Sequence, residues 1–176
     1  MKLIYRPFLL HFAVYRTTTV FVRVASTALL SISSFASAQT AWPEFMPTLK
    51  GGWSNSSVAA QLPPEVLQAP PDNAAASEKT QWAGQWQGWS GRDRSVDYKV
   101  VISNVTEGTA TIDYAAASST FTPFYARVNG RFVGDELQAY LAGEATITFR
   151  MRASGELEFM WKRGGTWSAG VFTKTP

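Results

Sequence analysis

Cysteine is missing from this 176-residue chain, and histidine occurs once, at His11. His11 falls in an N-terminal segment that is expected to be removed, which leaves a mature protein with neither imidazole nor thiol. Histidine-based triads, cysteine nucleophiles, disulfides and the usual zinc and copper ligand sets are thereby excluded. No phosphate-cradling glycine loop occurs, and Gly164-Gly165 reads as a turn. A helical stripe of useful length is absent too, so helix bundles and α/β layers are not expected.

Acidic residues are lacking from the first 38 positions, where Lys2, Arg6, Arg16 and Arg23 are the only charges. A modestly apolar run, Val24 to Phe35, follows and ends at Ala36-Ser37-Ala38 before Gln39. A charged n-region, a short h-region and an A-x-A site are the three parts of a secretory signal peptide. Residues 1–38 are read as that signal, of bacterial style, and the product is expected in the periplasm or outside the cell. The competing reading is an uncleaved anchor, but a spanning helix wants ~20 apolar residues and this run is shorter and serine-rich. There is no twin-arginine pair, and no cysteine for lipidation. No stable membrane insertion is expected after cleavage.

Cleavage also changes the charge. The full chain carries 16 Lys+Arg against 13 Asp+Glu, a net of +3. Losing the four basic residues of the signal leaves 12 against 13. The basic balance belongs largely to the signal, so no nucleic-acid partner is expected.

Residues 39–79 are rich in Pro, Ala, Ser, Asn and Gln and show neither helical nor strand periodicity. They read as an extended, mostly disordered arm. Pro64 to Gln68 suits one helical turn. Trp42, Phe45, Met46 and Trp53 suggest loose packing on the domain, or a segment that docks a protein partner.

Residues 80–176 form one small domain of consecutive short strands, the all-β pattern. Strands are expected at 81–90, 96–105, 109–115, 122–128, 131–134, 136–141, 145–152, 156–162 and 166–174. Register tests the hairpins. A three-residue loop at Ala153-Ser154-Gly155 sets Arg150 against Glu158 and Arg152 against Glu156 on one face. It sets Met151 against Leu157, Phe149 against Phe159 and Ile147 against Trp161 on the other. A slip of one residue destroys both matches. A loop at Thr106-Glu107-Gly108 pairs Ile102 with Ile112 and Val100 with Tyr114. A loop at Ala142-Gly143-Glu144 pairs Leu137 with Phe149 and Ala139 with Ile147. A three-residue loop at Arg163-Gly164-Gly165 pairs Trp161 with Trp167, Phe159 with Ala169 and Leu157 with Val171. Asn129-Gly130 reads as a two-residue turn.

The fold class that follows is all-β: an antiparallel up-and-down meander of eight or nine short strands. Its apolar face cannot stay wet, so it closes into a small barrel, with a β-sandwich as the alternative. Tyr98, Val100, Ile102, Ile112, Tyr114, Phe149, Phe159, Trp161 and Trp167 are expected to crowd the interior. A full interior would move function to the surface and the loops.

The first strand reads Trp82-Ala83-Gly84-Gln85-Trp86-Gln87-Gly88-Trp89. Period two puts Trp82, Gly84, Trp86 and Gly88 on one face and leaves Trp89 partly exposed on the other. This face serves either as an aromatic platform for a ligand or as a plug that seals one end of the barrel. Gly84-Gln85-Trp86 at the start of such a meander resembles the G-x-W signature of calycins, the superfamily of lipocalins, fatty-acid-binding proteins and avidins. The resemblance spans residues 81–174 and implies a barrel, possible small-ligand binding and no catalytic residues. In that family a basic residue near the last strand packs over the tryptophan. Lys162 and Arg163 precede the last strand here, and Lys174 ends it. The layout is also similar to small secreted bacterial domains that begin with W-x-G-x-W-x-G.

The remaining chemistry is carboxylate, hydroxyl, lysine and arginine. Glu156 and Glu158 read as structural ion pairs rather than a glycosidase pair. Asp113 reads as a surface partner of Lys99. Asp93 and Asp97 could hold Ca²⁺ but lack a spaced ligand series. Arg127 points outward, or inward as an anion handle if its register slips. No catalytic, cofactor-binding or metal-binding residue is assigned. Candidate ligand contacts are Trp82, Trp86, Trp89, Tyr98, Tyr114, Arg127, Trp161 and Trp167. The function expected is a secreted, non-enzymatic binding domain for a small hydrophobic or amphipathic ligand, a glycan, or a partner protein held through residues 39–79. The alternative is an enzyme, or an accessory or inhibitor of one, acting on cell-wall glycans through carboxylates; an inward, unpaired Asp or Glu would favour it.

Overall fold

A computed structural model describes residues 40–68 and 78–176. The expected signal segment lies outside the described residues. Eight antiparallel strands follow one another and close into a barrel, with β8 hydrogen-bonded to β1. They are β1 (Gly84–Ser90), β2 (Val96–Ser103), β3 (Thr109–Ser118), β4 (Phe121–Val133), β5 (Glu136–Leu141), β6 (Ala145–Met151), β7 (Leu157–Arg163) and β8 (Thr166–Lys174). Alternation puts Trp86, Tyr98, Ile112, Tyr114, Phe149, Phe159 and Phe172 in one interior cluster. The rings of Tyr98, Phe159 and Phe172 interlock with centroids 4.9–5.5 Å apart. The interior is packed with side chains, as a small barrel allows.

One end is sealed by the 3₁₀ turn Glu78–Trp82. Trp82 is buried, meets Phe132 edge-on at 5.3 Å, and accepts a 3.0 Å hydrogen bond at its carbonyl from Trp86 Nε1. The plug reading of Trp82 therefore holds, although the strand begins at Gly84 rather than Gln81. Lys174 Nζ lies 5.3 Å from the centre of the Trp86 ring, so the last-strand cation packs over the G-x-W tryptophan.

Three of the hairpin registers are as expected: Arg150 opposite Glu158, Ile102 opposite Ile112, and Leu137 opposite Phe149. The β7–β8 register is not. Gly164-Gly165 makes a two-residue turn, with Gly164 at φ 54°, and pairs Lys162 with Trp167, Trp161 with Ser168 and Leu157 with Phe172. That one-residue shift turns Trp167 outward, to 47% exposure, and places Phe172 inside. The period-two pattern misleads here because both faces of β8 are buried: Val171, outward, is as inaccessible as Phe172, inward.

Asn129-Gly130 is no turn. It lies within the continuous β4, which replaces two expected strands. Gly130 pairs with Ala110 and Ala139, and a Cβ there would come within 2.8 Å of Leu137 and Ile112. The glycine serves a close approach of packed neighbours. Arg127 points outward and chelates the buried Asp113 through Nε at 2.8 Å and Nη2 at 3.2 Å, so it is not an interior anion handle.

Candidate functional site: a groove between belt and barrel

Residues 40–68 are extended, as expected, but they are not free of the domain. They wrap the barrel as a belt, starting at β5 and running past β7, β8 and β1 to β3. The belt has little regular structure, only a 3₁₀ turn at Met46–Thr48 and a helical turn at Pro64–Gln68, α1. Carboxylates on the outer side hold it, of which Glu136 and Asp97 are buried. Glu136 accepts from Thr40 N at 3.2 Å and from Trp42 Nε1 at 2.6 Å. Asp97 accepts from Ser54 Oγ at 2.7 Å and from Ala60 N at 2.8 Å. Glu156 accepts from Gly51 N at 3.1 Å. Arg152 donates to the carbonyls of Met46, at 2.5 Å, and Leu49, at 2.7 Å. Apolar belt residues Ala60, Leu62 and Val66 then close over Val101, Ala115 and Ala117. The polar contacts supply the acceptors and donors that an irregular backbone needs once water is excluded.

The belt alters the expected electrostatics of the wall. Glu158 accepts from Arg150 Nε at 2.7 Å and Arg152 Nε at 3.0 Å, and it is 4% exposed. The arginine–glutamate set lies on the outer face as expected, yet Glu158 at its centre is out of water. Burial pushes the Glu136 carboxyl up, but hydrogen bonds from Trp42, Gln138 and Thr40 outweigh it and leave that carboxyl below its ordinary value. Glu156 shows the same balance: burial raises it, and Ser154, Arg152 and Gly51 together bring it lower.

Between the belt's start and the wall lies a cleft of about 570 Å³. Its floor is set by register. Tyr140 on β5 faces Thr146 on β6, Thr146 faces Lys162 on β7, and Lys162 faces Trp167 on β8. Three strand spacings separate Tyr140 from Trp167, or roughly 14 Å. Gln138, Thr148 and Met160 line the neighbouring row, and Trp42 and Pro43 of the belt form the side. Arg150 lies over the Trp42 ring at 4.6 Å, which with the Glu136 hydrogen bond fixes the indole.

Trp167 also borders a second cleft, of about 850 Å³, lined by Phe45, Lys50, Trp89, Arg92 and Arg94 among others. Phe45 of the belt stacks on Trp167 at 5.9 Å and 28°, so this ring pair divides the two clefts. Trp89 is not partly exposed as expected. It is on the outer face, but the belt covers it: Nε1 donates to Lys50 O at 3.2 Å, and Arg94 lies 4.8 Å over its ring.

Of the other candidate contacts, Trp82, Trp86, Tyr98 and Tyr114 are in the packed interior, and Trp161 is half-buried against it. Burial pushes the phenols of Tyr98 and Tyr114 up, so both stay protonated. Tyr98 OH, Ser90 and Ser168 form a hydroxyl chain, at 3.1 and 2.8 Å. The buried acids of the described residues, Asp97, Asp113, Glu136 and Glu158, all lie on the outer wall with partners. The inward, unpaired carboxylate that would favour a glycan-cleaving enzyme is not among them. Asp97 is committed to the belt rather than to a cation shared with Asp93. The described residues contain no group of three His, Cys, Asp or Glu side chains able to hold a metal ion. None of their helices is long and apolar enough to cross a membrane.

Tyr140 escapes the sequence reading. Tyr140 carried a signal: alternation with Leu137, Ala139 and Leu141 puts it on the polar face, where an aromatic ring 78% exposed is out of place.

Fold and groove together define a closed eight-stranded up-and-down barrel with a belted outer wall. Among solved structures, the chain is similar to a crystal structure of a mutant of the fluorescent protein UnaG, with a TM-score of 0.40 and 15% identity. The match covers 55% of this chain and 97% of that one. No protein-family model and no curated protein matches the chain.

Proposed function

We propose that this is an exported, non-enzymatic binding barrel of calycin-like build that holds a small amphipathic ligand on its outer wall. Export rests on the three-part signal before Gln39, and the calycin-like reading on Gly84-Gln85-Trp86 with Lys174 over the Trp86 ring. The observation that carries the binding role is the groove: the rings of Trp42, Tyr140 and Trp167 around Gln138, Thr146 and Lys162, beside an interior packed with side chains. Aromatic walls with a few placed polar groups are what small-ligand sites consist of. Belt and wall each supply one side, so the groove exists only while the belt is seated. N-terminal sequencing of the exported protein tests the first part, with Gln39 expected as the first residue and a retained Met1 refuting export by cleavage.

The binding role is tested with anilinonaphthalene sulfonate, an amphipathic fluorescent probe. It is expected to bind the folded protein saturably and to lose affinity in Trp42→Ala, Tyr140→Ala and Trp167→Ala. Probe binding that ignores these variants but falls in Tyr98→Phe or Tyr114→Phe would return the ligand to the barrel interior. An absence of binding would refute the groove.

A further inference from the structure

We infer that the ligand of this groove is an anionic oligosaccharide, a conclusion that rests on the groove reading above and goes beyond it. The first argument is charge. Lys162 stands in the first cleft, and Lys50, Arg92 and Arg94 in the second, against Asp93 as the only acid among the described residues that line either. None of these four cations makes an ion pair among those seen in the described residues, which are Arg127–Asp113, Arg150–Glu158, Arg152–Glu156 and Arg152–Glu158. The buried acid beside the first cleft is spent on the belt: Glu136 is turned to Thr40, Trp42 and Gln138. A domain whose expected mature charge is close to zero thus concentrates positive charge along one groove, which selects anions.

The second argument is shape. Tyr140 and Trp167 stand roughly 14 Å apart along one cross-strand row, with a hydroxyl and an ammonium between them. Trp167, with its Phe45 stack, borders both clefts, and Arg92 and Arg94 line the second. A linear ligand of several flat-faced units fits this course, laying apolar faces on the rings and polar edges on Gln138, Thr146 and Thr148. Pyranose rings have such faces and edges, and a uronate adds a carboxylate that arginine grips through paired N–H groups.

The third argument separates a sugar from an acidic peptide. The floor runs across β5, β6, β7, β8 and β1, which are paired without a gap. No strand edge is open there, so an extended peptide finds no backbone ladder to join.

Oligogalacturonate and its fully methyl-esterified form have the same sugar backbone and differ in charge. Titrated into the full mature chain and followed by tryptophan fluorescence, the acid form is expected to bind at least about tenfold more tightly than the ester. Trp167→Ala should weaken both forms. Lys162→Gln and Arg92→Gln should bring the acid form down toward the ester. Equal binding of acid and ester overturns the anionic assignment and leaves the groove standing. Failure of both sugars while the fluorescent probe still occupies the groove overturns the saccharide assignment alone. Poly-glutamate binding as tightly as oligogalacturonate, with the same variant dependence, overturns it in favour of an acidic peptide.

Discussion

The β7–β8 register decides which residue is core and which is groove, and two truncations read it directly. Phe172 is fully buried, with its ring centre 4.9 Å from Phe159, 5.5 Å from Tyr98 and 5.9 Å from Phe149. A buried phenylalanine hides ~150–250 Å², which at ~25 cal/mol per Å² is worth about 4–6 kcal/mol. A denatured chain that already buries part of that area trims the figure, and Phe→Ala truncations in cores cost about 3–5 kcal/mol. About 4 kcal/mol is expected for Phe172→Ala. Gly88 opposite cannot refill the gap, since it has no side chain and faces the Phe172 ring. Trp167 is half-exposed, and the Phe45 stack is its one ring contact in the described residues. Such a pair is worth about 0.5–1.5 kcal/mol, so Trp167→Ala should cost about 1 kcal/mol. Net stability of a domain is ~5–15 kcal/mol, and urea melts resolve this difference as a shift in midpoint at constant slope. If Trp167→Ala proves as costly as Phe172→Ala, the three-residue loop is the true one. The Tyr140–Lys162–Trp167 row then dissolves, and with it the groove.

Glu158→Gln is expected to cost about 2–3 kcal/mol in the same melts: breaking a buried pair costs ~3–5 kcal/mol, and the exposure of Arg150, at 31%, reduces it. A loss under about 0.5 kcal/mol would put the pair in solvent and the belt off the wall. Glu136 gives the belt a pH dependence. Its carboxyl is held low in the fold, so its stabilisation is complete above its unfolded pKa of ~4.3 and lost as pH falls through the folded value. Proteolysis within residues 40–53 should accelerate at acid pH before near-ultraviolet dichroism of the interior aromatics declines, and Glu136→Gln should be cleaved readily already at neutral pH. Simultaneous loss of belt protection and core dichroism in both proteins would refute a separately held belt.

What was legible in the sequence follows from which faces were wet. The β6–β7 hairpin separates Arg150 and Glu158 from Phe149 and Phe159, and only one register satisfies both sets. On β8 the pattern Trp167-Ser168-Ala169-Gly170-Val171-Phe172 offers apolar residues to either face, because the belt buries the outer one as well, and alternation alone could not choose. Asn129-Gly130 has the composition of a turn, yet its glycine answers to Leu137 and Ile112, whose approach no local pattern records. The belt itself was read as disordered because it lacks a period. It is held instead by acceptors far along the chain: Glu136, Asp97 and Glu156.

The same fact explains why the functional candidates moved outward. Tryptophans on the first strand suggested a ligand platform, but Trp82 and Trp86 are used in closing the barrel, and Tyr98, Tyr114, Phe159 and Phe172 fill what remains. With these side chains in the interior, the rings available to a ligand are those between the belt and the wall: Trp42, Tyr140 and Trp167. Charge followed the same division. Glu136 and Asp97 on the covered wall are used as anchors for the belt, whereas Lys50, Lys162, Arg92 and Arg94 at the clefts belong to none of the ion pairs seen among the described residues. An irregular segment that anchors itself on acids therefore leaves a basic, aromatic channel along its edge, and the anionic preference of the groove is a consequence of how the belt is held.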